Sequence, residues 1–290
     1  MTGAIPNRFI VLLLAASFSL HAQERKVDPT FLHRFVPDLK ERAAELTTPA
    51  CHYIPIFGEG DPDAKSLRSI ARFGEAVLDP GGASATVEYA AEEQIYVVLE
   101  GEGVLQYGDE RIAVHKNDYM YLPPGLRHGV ASSSTKECRL IVMGFRIPEG
   151  IRAMPPPRPL LANIDDVRKE VVSGHPPTTL YQLLMGDTGS KRDKLAAAQV
   201  LTSLFTMEFA PGGTNFPHHH EREEEIYLVL NGNGDMVAGG GMDGLEGRHP
   251  ARTGDAYFFR LNCTVGFYAG TKGGEEKARI LAARSLFPSK

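Results

Sequence analysis

The 290-residue chain has no tryptophan, only three cysteines and no marked excess of either charge sign. Cys51, Cys138 and Cys263 lie far apart, so they suit neither a zinc knuckle nor a disulfide framework, and their odd number leaves at least one unpaired within the chain. They read as small core residues at Cys138 and Cys263, with one disulfide to Cys51 as the exported-protein alternative. With 31 basic and 36 acidic side chains the formal charge is -5, which argues against nucleic acid or an anionic membrane as partner and leaves a small molecule. Also missing is an apolar stretch of about 20 residues, the length that spans a bilayer as a helix, so no permanent membrane span is expected. The apolar run from Phe9 to Leu20, preceded by Arg8 and followed by Ala22, instead has the three-part order of a secretory signal peptide over residues 1–22. A periplasmic or secreted protein follows. No Arg-Arg pair precedes the run, so a metal would be acquired after export.

What is plentiful is glycine and proline, 30 and 20 residues, in a chain that is otherwise 42% hydrophobic and 23% charged. Such a composition favours short strands joined by many turns. Helical pattern is confined to Pro37–Leu46 and Ile164–Val172, the latter with Asn163 or Asp165 as N-cap. Gly101-Glu-Gly103 and Gly232-Asn-Gly234 follow strand-like runs with no helix to receive a phosphate, which disfavours nucleotide binding.

The sequence also repeats itself. Residues 79–103, DPGGASATVEYAAEEQIYVVLEGEG, match residues 210–234, APGGTNFPHHHEREEEIYLVLNGNG, at an ungapped offset of 131. A second block, NDYMYL at 117–122, matches GDAYFF at 254–259 at an offset of 137, so six residues were added between the blocks. The glycine-rich stretch Gly239–Gly244 is where a lengthened hairpin tip is expected. Met154-Pro-Pro-Pro-Arg-Pro159 fits neither a ladder nor a helix interior and reads as a stiff connector between the halves.

The paired blocks resemble the two motifs of the cupin superfamily. In its first motif a glycine precedes His-x-His and a later glutamate, and in its second a glycine precedes Pro-x-Gly-x-x-His. Two copies imply a bicupin, an all-β chain of two tandem jelly-roll barrels with minor peripheral helices. On that basis residues 23–70 form an N-terminal arm with a short helix, 71–152 the first barrel, 153–195 a Pro-rich linker and helix, and 196–290 the second barrel.

In the second copy the first motif is complete, from Gly212 through His218, His220 and Glu225 to Gly232. Strand alternation sends His218 and His220 to one face and His219 to the other. Two imidazoles and a carboxylate would then hold one divalent metal, iron, manganese or zinc, with positions left open. Out of this setting, the run His218–Glu225 would read as a charged surface loop. The second motif departs from the family: Arg260, Asn262 and Val265 replace its Pro, Gly and His, so the usual last ligand is missing and the site has three protein ligands, supplemented by His249 or by nothing. Tyr227, Arg260 and Phe267 are candidate substrate-binding residues, Arg260 as a clamp for a carboxylate or phosphate. In the first copy Val87, Tyr89 and Gln94 stand in place of the ligands, while His128 keeps its place, so that barrel is expected to be structural or to bind an organic ligand through Tyr89, Gln94, Tyr96 and His128.

These residues support two readings. One is a metal-dependent enzyme acting on a small organic molecule, of oxygenase, decarboxylase, isomerase or hydrolase type. The other is a non-catalytic small-molecule or metal-binding protein. Exposed sheet edges leave a homodimer open.

Overall fold

A computed structural model describes residues 30–151, 156, 158–240, 245–271 and 277–287. Residues 1–22, read above as a signal peptide, residues 241–244 of the glycine-rich stretch expected to hold a hairpin tip, and part of the Pro-rich connector lie outside the described residues. Nine strands come from the first half: β1 (Phe31–Phe35), β2 (Cys51–Gly58), β3 (Ile70–Leu78), β4 (Glu92–Glu100), β5 (Glu102–Tyr107), β6 (Glu110–His115), β7 (Asp118–Leu122), β8 (His128–Ser132) and β9 (Cys138–Arg146). Ten follow: β10 (Leu160–Asn163), β11 (Thr179–Asp187), β12 (Leu195–Ala198), β13 (Leu201–Phe209), β14 (Glu223–Asn231), β15 (Asn233–Gly240), β16 (Leu245–Arg252), β17 (Asp255–Phe259), β18 (Cys263–Ala269) and β19 (Ala278–Leu286).

The strands build two barrels, each from a large and a small sheet. The first combines β10-β7-β4-β9-β3-β2 with β6-β5-β8, and the second combines β1-β17-β14-β19-β13-β11-β12 with β16-β15-β18. This is an all-β tandem jelly roll. The repeat is visible in the pairing: β4 lies between β7 and β9 as β14 lies between β17 and β19.

Alternation along the strands sorts side chains into three cores. Leu140 and Val142 of β9 point into the first barrel, and Ile280 and Ala282 of β19 point into the second. Their neighbours Ile141, Met143, Leu281 and Ala283 face the other way and join Phe57, Phe73, Phe145 and Phe258 in an apolar core between the barrels. All three cysteines are buried, and no disulfide joins Cys51 to either of the others.

The two peripheral helices read from the sequence are corrected to single 3-10 turns, Val36–Asp38 and Ile164–Asp166. Asn163 does cap the second, accepting a hydrogen bond from the Asp165 N–H. Neither segment is long enough to offset helix nucleation, and sheet pairing takes the rest. Arg42 N–H bonds Tyr53 O, while Glu170 and Tyr181 exchange both backbone bonds.

The connecting segments are exchanged between barrels. β1, which precedes the first barrel, pairs with β17 of the second (Phe31 opposite Phe259), and β10, which precedes the second, pairs with β7 of the first (Leu160 opposite Tyr121). A matched pair of buried glutamates reinforces the contact. Glu93 on β4 accepts backbone N–H bonds from Gln199, Val200 and Leu201, and Glu224 on β14, its equivalent 131 residues on, accepts those of Arg68 and Ser69.

Candidate metal centre

His218 lies in the extended segment before β14. It exchanges both backbone bonds with Val265 of β18, at 2.9 and 2.8 Å, so the residue that replaces the family's last histidine sits directly across from the first ligand candidate. Gly266 makes this approach possible, because a Cβ there would come within 2.9 Å of the Pro217 backbone. Gly266→Ala is expected to destabilise the protein by about 1–3 kcal/mol through overpacking, read as a lower urea midpoint.

The structure brings His218, His220 and Glu225 together, one ligand atom of each lying within 4.8 Å of the others. His219 points out to solvent, as strand alternation requires. His218 donates its Nδ1–H to the Phe216 carbonyl at 2.8 Å, which leaves Nε2 free and resembles the outer contact usual for a metal-bound histidine. His220 Nε2 stands 3.3 Å from Glu225 Oε2, yet both atoms are buried without a hydrogen-bond partner. Two orphaned polar atoms beside a third free nitrogen are costly unless something binds them, and a divalent cation fits all three. Burial holds His218 below its ordinary pKa, aided by the neighbouring imidazoles. For Glu225 burial pushes upward, but His220, Arg284 and His218 together hold the carboxyl below its ordinary value. A neutral imidazole and an ionised carboxylate are the ligand forms a metal needs.

The cluster opens into a cavity of about 230 Å³ lined by His175, Tyr181, Arg192, His218, Glu225, Tyr227 and Arg284, among others. Tyr227 is almost wholly buried and takes a hydrogen bond from Asn215 at 3.1 Å. The other two candidate substrate residues are placed elsewhere. Phe267 packs against Phe209 in the barrel core, and Arg260 is absent from the cavity wall, its backbone N–H held by Thr30 O. His249 is on β16 against Phe31 and does not join the cluster. Three residues that the sequence did not flag line the cavity beside the cluster. Arg284 of β19 has a buried Nε with no partner, Arg192 comes from the loop before β12, and His175 comes from the segment between the barrels. The His175 ring is 5.3 Å from that of His218, and its Nδ1 bonds the Asn215 carbonyl at 2.7 Å, leaving Nε2 unengaged.

In the first barrel an internal cation fills the corresponding place. Buried Arg72 donates to Tyr89 Oη at 2.9 Å and to Glu92 at 3.1 Å, and lies 2.8 Å from Glu59. Tyr96 and His128 meet at 3.2 Å, and Glu88 is exposed, as strand alternation requires. Arg72 replaces Ser203 of the second copy, a difference that lies outside the motifs.

The Cupin_2 family, described as a cupin domain, matches residues 74–144 and 205–283. The structure of YlbA from E. coli superposes with a TM-score of 0.66 at 15% identity, covering 93% of this chain and 96% of that one. Oxalate decarboxylase of Bacillus subtilis, a protein with Mn(II) centres, superposes at 0.65 and 13% identity over 91% of this chain and 79% of its own. AerE from Microcystis aeruginosa gives 0.62 at 15% identity, covering 86% and 98%. An uncharacterised protein of Methanocaldococcus jannaschii is 25% identical over 71 residues, which is 24% of this chain and 57% of that protein. The chain thus covers little more than half the length of this relative.

Proposed function

We propose that this chain, which belongs to the cupin domain family, is an exported metal-dependent enzyme that acts on a small organic anion in its C-terminal barrel. The observation that carries the reading is the pair of orphaned atoms, His220 Nε2 and Glu225 Oε2, beside the free Nε2 of His218, with His218 and Glu225 lining the cavity. His218, His220 and Glu225 would hold one divalent ion, for which iron(II), manganese(II) and zinc are all suited to the donor set. When bound, such an ion polarises an oxygen of substrate or water.

The chain's own residues define the rest. Arg284 keeps an unsatisfied buried N–H beside Glu225, and Arg192 adds a second guanidinium to the cavity wall, a pairing suited to a carboxylate. His175, fixed through Nδ1, presents Nε2 as the atom that can take or give a proton. Val265 in place of the usual last histidine favours a second reading, a non-catalytic binder of a metal or small ligand.

Elemental analysis tests the metal reading on the purified protein beside a His218→Ala/His220→Ala double variant with an unchanged circular dichroism spectrum. The parent is expected to hold about one equivalent and the variant less than about a tenth. A parent that stays empty after reconstitution with iron, manganese and zinc removes the metalloenzyme. Given a loaded parent, turnover in a screen of small carboxylic acids marks the enzyme, whereas melting shifts without turnover mark the binder.

A further inference from the structure

A second cavity, of about 370 Å³, opens between the two barrels. Its floor is apolar, formed by Ile56, Leu99, Ile141, Leu228 and Leu230. Leu99 and Leu230 are equivalent positions of the internal repeat, and so are Glu100 and Asn231, which also line the space. The cavity therefore sits across the pseudo-symmetry of the molecule, separate from the metal cluster within the second barrel.

Its charges break that symmetry. Arg139 on β9 and Arg279 on β19 both reach this space, each two residues before an inter-barrel core residue, Ile141 or Leu281. Arg139 is neutralised within the protein, bonded to Glu75 and 3.5 Å from Glu100. In the second copy the positions of those two acids hold Thr206 and Asn231, neither of which carries a charge. Glu208, directly opposite Arg279 in the ladder, is held by Lys169 and Lys277 at 2.6 and 2.7 Å. Both carboxylates lining the cavity are thus taken by Arg139, and Arg279 and Lys116 have no acidic side-chain partner among the described residues.

We propose that this inter-barrel cavity is a second binding site, for a small molecule with an apolar body and one carboxylate. Its apolar part lies on the leucine and isoleucine floor, and its carboxylate pairs with Arg279, whose fork geometry favours bidentate contact with a planar anion. Apolar walls with a few polar groups at fixed positions are the usual makeup of a small-molecule pocket of this size. Lys116 contributes a second positive charge at the rim.

Octanoate is the probe, titrated calorimetrically into the intact protein, with octan-1-ol and octylamine as neutral and cationic counterparts. Octanoate is expected to bind at about one site per chain, and both counterparts roughly tenfold or more weakly. Arg279→Gln should weaken octanoate binding by a similar factor, and so should Asn231→Glu, which supplies the acid that the first copy already has. The His218→Ala/His220→Ala variant should bind octanoate like the parent, which separates this site from the metal centre. The proposal is overturned by absence of octanoate binding, by equal binding of octanol or octylamine, or by unchanged affinity in both Arg279→Gln and Asn231→Glu when their melting curves match the parent.

Discussion

Glu93→Ala is expected to lower the stability of the protein by about 4 kcal/mol. The carboxylate is fully buried and satisfies the backbone N–H groups of Gln199, Val200 and Leu201 together with the Tyr121 hydroxyl at 3.1 Å. Removing it strands four donors in the contact between the barrels, and each buried donor without a partner costs about 1–3 kcal/mol, offset in part where water enters. The loss is large against a total of about 5–15 kcal/mol for a typical fold. Glu93→Gln should cost less, because one amide oxygen can still accept from Val200 and Leu201 while the NH2 faces the remaining donors. Glu224→Ala should behave alike, releasing Arg68, Ser69 and the Ser69 hydroxyl at 2.6 Å. Urea unfolding at constant pH measures all three, and a change under about 1 kcal/mol in both alanine variants would show that the glutamates do not hold the barrels together.

Acidification should expose a second weakness, in the first barrel. Burial pushes His128 down to about 4 from an ordinary 6.5, and the nearby Arg72 charge adds to that, while the bond to the Leu126 carbonyl opposes it. The unfolded chain therefore takes up a proton below pH 6.5, and the folded protein does not until about pH 4. The contribution of neutral His128 is complete above the first value and is lost progressively as the pH falls to the second. The full span corresponds to about 3 kcal/mol. Other acids titrate over the same interval, so the comparison is with His128→Val, the residue found at the matching position of the second copy. Between pH 7 and pH 4 the variant should lose about 3 kcal/mol less than the parent. Parallel stability profiles would mean that His128 is not the group responsible.

The fold was readable because it is written twice. The duplicated strands Ile95–Leu99 and Ile226–Leu230, and the glycines that end them, set the period of the barrels, and both runs appear as central strands. The segment Pro37–Leu46 misled because local propensity cannot anticipate that Tyr53 will take the Arg42 N–H into a non-helical pairing. At the candidate site, the three motif residues were visible because they are close in sequence and keep the spacing of the first motif. Arg284, Arg192 and His175 were not, since they reach the cavity from separate parts of the chain and carry no spacing relation to it. Arg72 escaped for a related reason: it lies upstream of the motif, and only the three-dimensional barrel carries its guanidinium to Tyr89. The two copies hold a valine and a histidine across from each other in opposite order, Val87 with His128 and His218 with Val265, a relation that becomes evident once the strand partners are known.

The exchange of β1 and β10 between the barrels sets the order in which the chain can be completed. β1 is made before every other described strand, yet its partner β17 is among the last three. The earliest strand must therefore wait, unpaired, until nearly the whole chain is available, and closing so long a loop slows folding. In the interval, Leu32 lacks the apolar neighbours that bury it in the finished molecule. Neither half can therefore reach its final form as an independent piece, and the waiting strand is an edge open to mispairing.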